Sequence, residues 1–369
     1  MDITELLQCF ACTLDHNAAV RTNAETHLKN ASKVPGFLGA CLDIIAADEV
    51  PENIKLSASL YFKNKITYGW SAGARQGSNE LLDSHVDPDE KPVVKDMLIK
   101  TMVSVSKTSP RCIRVLKSAL TVIISEDYPS KKWGNLLPNS LELLANEDIT
   151  VTYVGLLCLA EIFRTYRWKN NDERQDLEEL ILNYFPALLN YGANVLFQDG
   201  KYMNNEQIGE LVKLIIKIYK FVSYHDLPFT LQRSESFTPW ACFFVSIIQQ
   251  PLPQEVLAIS DIEVRSKNPW VKCKKWALAN LYRLFQRYAS TSLTRKFQYD
   301  EFKQMYCEEF LTQFLQVVFD QIEKWGTGQL WLSDECLYYI LNFVEQCVVQ
   351  KTTWKLVGPH YNVILQHVI

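Results

Sequence analysis

The feature that most constrains this chain is a long succession of amphipathic segments, each ended by a short break. In residues 2–15 the apolar side chains recur three and four positions apart, which is the spacing of one face of an α-helix. Gly and Pro number only 13 and 14 in 369 residues. So few turn-forming residues over so long a chain favour long helices.

The same reading along the chain predicts helices arranged in antiparallel pairs. The predicted helices span residues 2–15, 18–32, 37–47, 51–70, 92–105, 110–125, 129–146, 149–168, 174–195, 204–224, 237–250, 268–288, 299–325, 330–350 and 354 to the last residue. No segment shows the alternating Val/Ile/Thr-rich pattern of a strand. Residues 71–90, 226–236 and 251–267 are interpreted as longer loops, and we expect the acidic loop 71–90 to be mobile.

Helix pairs that repeat every few tens of residues are typical of HEAT or armadillo proteins. A single pair cannot bury its apolar face alone, and stacking on its neighbours solves that problem. The pattern therefore predicts an all-α solenoid. One large irregular helix bundle is the alternative.

Charge, cysteine content and the length of apolar runs argue against several classes of protein. The net charge is -4, and no large basic stripe is present, so we expect no direct DNA binding. The chain starts with acidic residues and has no secretory signal, so its ten cysteines are interpreted as reduced thiols of the cytoplasm or nucleus. The longest apolar run, Val151 to Ala160, is ended by Glu161, and we expect no membrane insertion.

No catalytic or cofactor-binding motif is found. Cys9 and Cys12 form the only CxxC, without a second Cys or His pair at the spacing of a zinc site, so no metal is expected. The sequence has no P-loop, no dinucleotide fingerprint and no nucleophile elbow. We therefore expect no cofactor and no enzymatic activity.

A set of short motifs carries a family resemblance. Near the start of the chain they are Arg21, Ala24-Glu25, Leu28, Pro35-Gly36-Phe37, Tyr61-Phe62-Lys63-Asn64-Lys65-Ile66 and Trp70. Further along they are Tyr128-Pro129, Trp133, Leu136-Leu137-Pro138, the stretch from Trp270 to Ala277, Trp354-Lys355-Leu356 and Pro359-His360. This combination resembles the importin-β superfamily of nuclear transport receptors (karyopherins), and within it the importin-seven/importin-eight type.

The resemblance implies a HEAT-repeat α-solenoid, a right-handed superhelix of antiparallel helix pairs. Residues 1–70 would be the importin-β N-terminal domain with the first two repeats, and 71–90 an acidic loop. Residues 91–353 would hold further HEAT repeats, and 354–369 the first helix of another repeat. Because family members are considerably longer, we expect this chain to be the N-terminal part of a longer protein.

The resemblance also implies a function. Such receptors bind Ran-GTP on the inner, second helices of their first repeats and FG-repeat nucleoporins in grooves between the outer, first helices. They carry protein cargo, here expected to be basic, through nuclear pores between cytoplasm and nucleus. A cytosolic HEAT-repeat scaffold without a GTPase partner is the alternative. An importin is favoured over an exportin.

Five residues are candidates for Ran binding. Arg111, Arg114 and Lys117 share one face of a predicted inner helix, where a basic stripe suits an acidic partner, although a solvated helix face is an equally good interpretation. Lys63 and Asn64 belong to the family's Lys-Asn motif on the Ran-facing side. For Asn64 the alternative is a buried amide that bonds a neighbouring turn.

Other features favour structural roles. Trp70 is interpreted as closing the end of its helix, and most aromatic residues, such as Phe243, Phe244, Phe302 and Phe310, as core. Five basic residues between 263 and 275 could bind an acidic partner or an RNA backbone, but a solvated loop and helix start is favoured. The groove that would accept a nucleoporin phenylalanine is not identified by the sequence.

Overall fold

The computed structural model describes residues 2–71, 85–290 and 299–368. All regular structure in these ranges is helical and none of it is extended strand, which confirms the predicted all-α class. The chain divides into two compact units. Unit 1 ends at Thr165, and unit 2 begins at Tyr166. Most of the predicted loop 71–90, namely residues 72–84, lies outside the described residues.

Unit 1 is built from consecutive helix pairs. Its helices are α1 (Ile3–Cys12), α2 (Ala18–Ala31), α3 (Phe37–Ala46), α4 (Glu52–Gly69), α5 (Lys91–Ser104), α6 (Pro110–Asp127), α7 (Leu136–Leu144) and α8 (Ile149–Arg164). Each odd-numbered helix packs on the even-numbered helix that follows it. Because the connections within pairs are short, the two members of a pair run antiparallel.

Capping side chains fix several of these helix starts. Asp2, Asn17 and Asp148 each accept a hydrogen bond of 2.9–3.0 Å from a backbone N–H in the first turn of the helix that follows. The first N–H groups of a helix have no partner inside it, so such caps stabilise its start by about 1 kcal/mol. These positions agree with the predicted starts of α1, α2 and α8.

Unit 2 continues the pairing with longer connections. Its helices are α9 (Gln175–Asn190), α10 (Glu206–Val222), α11 (Ser234–Gln249), α12 (Gln254–Leu257), α13 (Ile262–Lys267), α14 (Pro269–Leu284), α15 (Asp300–Met305), α16 (Leu311–Gly326), α17 (Asp334–Val348), α18 (Lys351–Val357) and α19 (Tyr361–Val368). Single π-helical turns extend α9 and α14 and join α15 to α16. The pairs are α9 with α10, which meet through the π-helical extension of α9, α11 with α14, and α16 with α17.

Three sequence predictions of local structure are wrong. The helix predicted from Pro129 begins at Leu136, because Lys131 adopts a φ of 58°, which an α-helix cannot contain. The predicted loop 251–267 holds the short helices α12 and α13. The single helix predicted from Trp354 to the end is two helices, α18 and α19, separated by a 3-10 turn at Gly358–His360.

The second helices of consecutive pairs stack side by side and run parallel. In unit 2, Cys273 donates to the backbone oxygen of Gly209, and Asn280 to that of Ile216, both across 64 residues. The same spacing at two points seven residues apart requires α10 and α14 to be parallel and in fixed register. In unit 1, two side-chain contacts from α8 to the preceding pair, Thr150 with Ser106 and Glu161 with Lys117, each span 44 residues. The latter spacing lies within the usual HEAT repeat length of roughly 40–47 residues.

The interior of unit 2 is rich in aromatic side chains. Phe237 contacts Phe302 and Phe310 with ring centroids 5.5 and 5.0 Å apart, both in edge-to-face arrangements. Phe243 and Phe244 are also buried, at 3% and 0% exposure. The prediction that these phenylalanines belong to the core is therefore confirmed.

Candidate binding surfaces

The basic residues predicted on one side of α6 do lie on one side of that helix. Arg111 and Arg114 are exposed, and Lys117 is half-buried. The opposite face is buried and consists of Ile113, Leu116, Leu120 and Ile123. Within the described ranges, neither arginine forms an ion pair. The buried apolar face therefore fixes the orientation of α6, and the opposite side presents two guanidinium groups to solvent.

Lys117 is engaged inside unit 1. Its Nζ lies 3.7 Å from Oε1 of Glu161 on α8, and Arg164 approaches the other oxygen of that carboxylate at 3.3 Å. Glu161 is only 2% exposed, so the two cations compensate a buried negative charge. Lys117 thus has a structural contact that the sequence did not indicate.

Lys63 and Asn64 are half-buried on α4, which packs against α6. The two helices run parallel, because the C-terminal ends of α4 and α6 meet where Trp70 bonds to Asp127, across 57 residues. This register places Lys63 and Asn64 beyond the level of Arg114, near the middle of α6. The structure therefore puts the five predicted residues on neighbouring helices but at different heights.

Trp70 is part of a buried polar network. Its indole Nε1 donates to Oδ1 of Asp127 at 3.2 Å, and Lys95 on α5 donates to Oδ2 of the same carboxylate at 2.9 Å. Lys95 also donates to the backbone oxygen of Lys132 at 2.7 Å. Lys91 closes the end of α4 by donating to the backbone oxygen of Trp70 at 2.7 Å. These bonds join α4, α5 and α6, in agreement with a structural role for Trp70.

The basic residues between 263 and 275 have partners within the chain. Arg265 donates twice to the backbone oxygen of Ile259, and Lys267 pairs with Glu263. Lys272 and Lys275 share the carboxylate of Glu335, and Lys274 donates to the backbone oxygen of Ile248 at 2.8 Å. Burial lowers the pKa of Lys274 to about 8. This segment therefore mainly stabilises the fold.

Cys9 and Cys12 lie half-buried on α1. In the described part of the chain no group of three or more His, Cys, Asp and Glu side chains is arranged to hold a metal ion. Burial, with the nearby Glu5 carboxylate and Cys12, raises the pKa of Cys9. A raised pKa leaves little thiolate at neutral pH, so this thiol is poorly suited to nucleophilic chemistry.

An apolar groove of about 580 Å³ lies between the first helices α9 and α11. Its walls include Phe185, Pro186, Pro239, Trp240 and Phe243. Leu182, at 59% exposure, stands on its α9 side. The groove is open to solvent, and its aromatic and proline walls suit a flat or aromatic side chain.

The first helix that lines this groove is long and apolar. With its π-helical and 3-10 extensions it spans Gln175–Gly200 and, by length and composition alone, it is the one segment of the described residues that could cross a membrane. Leu177, Ile181 and Phe185 on this stretch are buried at 1–2% exposure. Its apolar side chains therefore serve the packing of unit 2 and the walls of the groove.

A second surface was not identified from the sequence. Arg167, Lys217, Lys220, Tyr224, Trp276 and Arg283 form a basic-aromatic cluster on the second helices α10 and α14 and the turn after α8. The ammonium groups of Lys220 and Lys217 lie 3.8 and 5.5 Å from the Trp276 ring centroid. The guanidinium groups of Arg167 and Arg283 lie 3.9 and 4.2 Å from the Tyr224 ring centroid. The only sequence signal is the spacing of three to four residues between cations on α10.

Comparisons with known proteins agree with the resemblance. Residues 24–104 match the importin-beta N-terminal domain family. Over its whole length the chain is 27% identical to importin-8 of Homo sapiens, an alignment of 371 residues that covers 100% of this chain and 34% of that protein. The chain thus spans about a third of the length of this relative.

Solved structures show the same fold. The exportin Cse1 in its cargo-free, cytoplasmic state superposes with a TM-score of 0.76 at 18% identity, covering 100% of this chain and 37% of that one. Kap95 superposes at 14% identity, with a TM-score of 0.61 in its complex with Nup1 and 0.57 in its complex with RanGDP. Those two alignments cover 97% and 98% of this chain, and 36% and 35% of Kap95. The predicted HEAT-repeat α-solenoid class is confirmed.

Proposed function

We propose that this chain is part of a nuclear import receptor of the importin-β type and acts without enzymatic chemistry. The match of residues 24–104 to the importin-beta N-terminal domain and the full-length similarity to importin-8 support this proposal. In this proposal Ran-GTP docks on the second helices of unit 1. Arg111 and Arg114 make the principal contacts, with Lys117, Lys63 and Asn64 beside them. The receptor carries protein cargo between cytoplasm and nucleus.

The exposed pair Arg111 and Arg114 is the observation that carries the Ran proposal. Both guanidinium groups stand on a second helix with a fully buried back and lack an ion-pair partner in the described residues. Arginine binds carboxylates through two parallel hydrogen bonds, so it is well suited to an acidic protein surface. Lys117 contributes less, because Glu161 already compensates its charge.

The test is binding of this chain to Ran loaded with GTP or GDP. We expect preference for the GTP form. Arg111→Glu and Arg114→Glu should each weaken that binding by roughly tenfold, which corresponds to about 1.4 kcal/mol. Lys117→Glu should instead lower the thermal unfolding midpoint, because it places a second carboxylate beside the buried Glu161.

A matched control is Lys100→Glu on the first helix α5. Lys100 is 74% exposed, and in the described part of the chain its ion-pair partner is Asp96 on the same helix, so the reversal changes net charge equally on another face. Its effect on Ran binding should stay within about twofold, as surface pairs contribute little. Equal effects of Lys100→Glu and Arg114→Glu would contradict the assigned surface. Loss of the GTP preference altogether would favour a scaffold.

The groove between α9 and α11 is the proposed contact for FG-repeat nucleoporins. A phenylalanine ring from an extended peptide fits between the aromatic and proline walls, and its burial contributes roughly 1.5–3 kcal/mol. Weak single contacts of this size suit a carrier that must bind and release many repeats. Leu182 and Cys242 stand at opposite walls of the groove.

Titration with a short Phe-Gly peptide, followed by NMR or fluorescence polarisation, tests this site. Leu182→Glu should abolish measurable binding, because it places a charge at the groove without disturbing the core. Val93→Glu, at a residue 57% exposed on α5, is the matched control and should bind as the unmodified chain does. A peptide that binds both variants equally would exclude this groove.

A further inference from the structure

The basic-aromatic cluster concentrates positive charge on the second helices of unit 2. In the described residues Arg167, Lys220 and Arg283 form no ion pair with a carboxylate. Glu335 on α17 is bonded to Lys272 and Lys275. Aromatic rings therefore take the place of counter-charges, and attraction to a ring contributes only about 0.5–2 kcal/mol.

The electrostatics of two residues report this excess of charge. Burial, followed by repulsion from Arg283, Arg167, Lys217 and Lys275, lowers the pKa of Lys220 to about 7. Partial burial raises the pKa of Tyr224, but hydrogen bonds and charges from Arg167 and Arg283 outweigh it and lower that pKa. A positive local potential lowers the pKa of an ammonium group and of a phenol alike, so the lowered pKa values of Lys220 and Tyr224 both indicate such a potential here.

Hydrogen-bond donors at the cluster are also unsatisfied. The Nε of Arg167 and that of the neighbouring Arg287 are buried and have no acceptor among the described residues. Arg287 uses its Nη2 to donate to the backbone oxygen of His225, and its guanidinium lies 5.9 Å from the Tyr224 ring centroid. A buried donor without an acceptor costs about 1–3 kcal/mol, so these two donors mark a place where the described residues supply too few acceptors for the cations.

The geometry distinguishes between the two main classes of anionic macromolecule. Bases of single-stranded nucleic acid stack on open aromatic faces. Here three ammonium groups, those of Lys217, Lys220 and Lys275, surround the Trp276 ring at 5.5, 3.8 and 4.3 Å. Carboxylates of a peptide need no stacking surface and reach the cations directly.

We propose that this cluster is a docking site for an acidic peptide segment, rich in Asp and Glu, of a protein partner. The carboxylates accept hydrogen bonds from Arg167, Lys220 and Arg283 and provide the missing counter-charge. The site lies in unit 2 and is separate from the Ran surface proposed on unit 1. It requires no nucleotide and stands or falls independently of that proposal.

The test uses the 369-residue chain and a labelled peptide of about twelve residues that alternates Asp, Glu and Gly, at low ionic strength. Fluorescence anisotropy should show binding that weakens steeply with salt. A peptide with Asn and Gln in place of the acids should not bind. The double variant Lys220→Gln, Arg283→Gln should weaken binding at least tenfold. The control pair Lys324→Gln, Lys355→Gln, on α16 and α18, also removes two cations and should change binding by less than twofold.

A pH series separates recognition by Lys220 from loss of packing. Because the pKa of Lys220 is about 7 and its neighbours Arg283, Arg167, Lys217 and Lys275 are all cationic, peptide affinity should fall several-fold between pH 6.5 and 8.5. Lys220→Arg stays charged and should remove that fall. Absence of binding at millimolar peptide, equal losses in the control pair, or tighter binding of a single-stranded oligouridylate to the same residues would overturn the proposal.

Discussion

Removing the carboxylate of Asp127 should disrupt the junction of α4, α5 and α6. Asp127 accepts hydrogen bonds from Lys95 and from the indole of Trp70, and the Lys95 and Asp127 side chains are only 9% and 8% exposed. In Asp127→Ala the ammonium group of Lys95 keeps only one backbone acceptor inside the protein. The change therefore tests whether a buried pair holds the three helices together.

The expected cost follows from that burial. Breaking a buried ion pair by removing one partner costs about 3–5 kcal/mol, and the orphaned indole N–H adds about 1 kcal/mol. A neighbouring exposed pair offers the control. Asp96 and Lys100 lie 2.6 Å apart on the same helix α5 but are 56% and 74% exposed. Asp96→Ala should cost about 0–1 kcal/mol.

Urea titration followed by segment-resolved hydrogen exchange would measure the difference. With a slope of about 2 kcal/mol per molar urea, Asp127→Ala should lower the unfolding midpoint of unit 1 by about 2–3 M. Exchange should accelerate in α4, α5 and α6 and less in unit 2. The double variant Lys95→Met, Asp127→Leu should recover most of the stability, since it leaves no buried charge. A shift for Asp127→Ala no larger than that for Asp96→Ala would refute the reasoning.

Three further predictions concern other buried contacts. Burial lowers the pKa of Lys274 to about 8 from an ordinary 10.5, so between these pH values the unfolded chain binds more protons than the folded one. The free energy of unfolding should therefore rise with pH from 8 to 10, by up to about 1.4 kcal/mol per pH unit. Denaturation curves of Lys274→Met should lack this rise. Gly155→Ala should lower the melting temperature, because its Cβ would lie 2.7 Å from the backbone oxygen of Ser140, whereas Gly39→Ala, with its nearest contact at 3.7 Å, should not. Arg174→Ala should lower the stability of unit 2 by about 2–4 kcal/mol in calorimetry, because the backbone oxygens of Val222 and Asp226 lose a buried guanidinium donor. The control Arg233→Ala, at an exposed residue, should have little effect.

The helix pairs were predictable because periodicity over ten or more residues outweighs local ambiguity. Helices of four and six residues, such as α12 and α13, contain too few turns to show a period, so their residues carry only the signals of a loop. At Pro129 a typical helix-starting residue was followed by the left-handed backbone of Lys131, which no local pattern revealed. Element type was therefore readable from composition and spacing, and element boundaries less so.

The proposed binding surfaces also contain some features that local sequence predicts and others that it does not. The common face of Arg111 and Arg114 follows from helical spacing alone. The engagement of Lys117 by Glu161 depends on a residue 44 positions away in the next repeat, which the sequence of α6 cannot indicate. The basic-aromatic cluster joins Arg167 to Arg283 across more than a hundred residues. Its existence depends on the register of α10 against α14, so it required coordinates.

The bonds that set this register have a consequence for sequence divergence. Along the interface of α10 and α14, side chains of one repeat donate to main-chain oxygens of the other, as Asn280 does to Ile216 and Tyr288 to Ser223. Every amino acid carries that oxygen, so a substitution on the accepting helix leaves the acceptor in place. Each repeat thus constrains only its own donor residue. Neighbouring repeats can therefore diverge in sequence separately while the spacing between them persists.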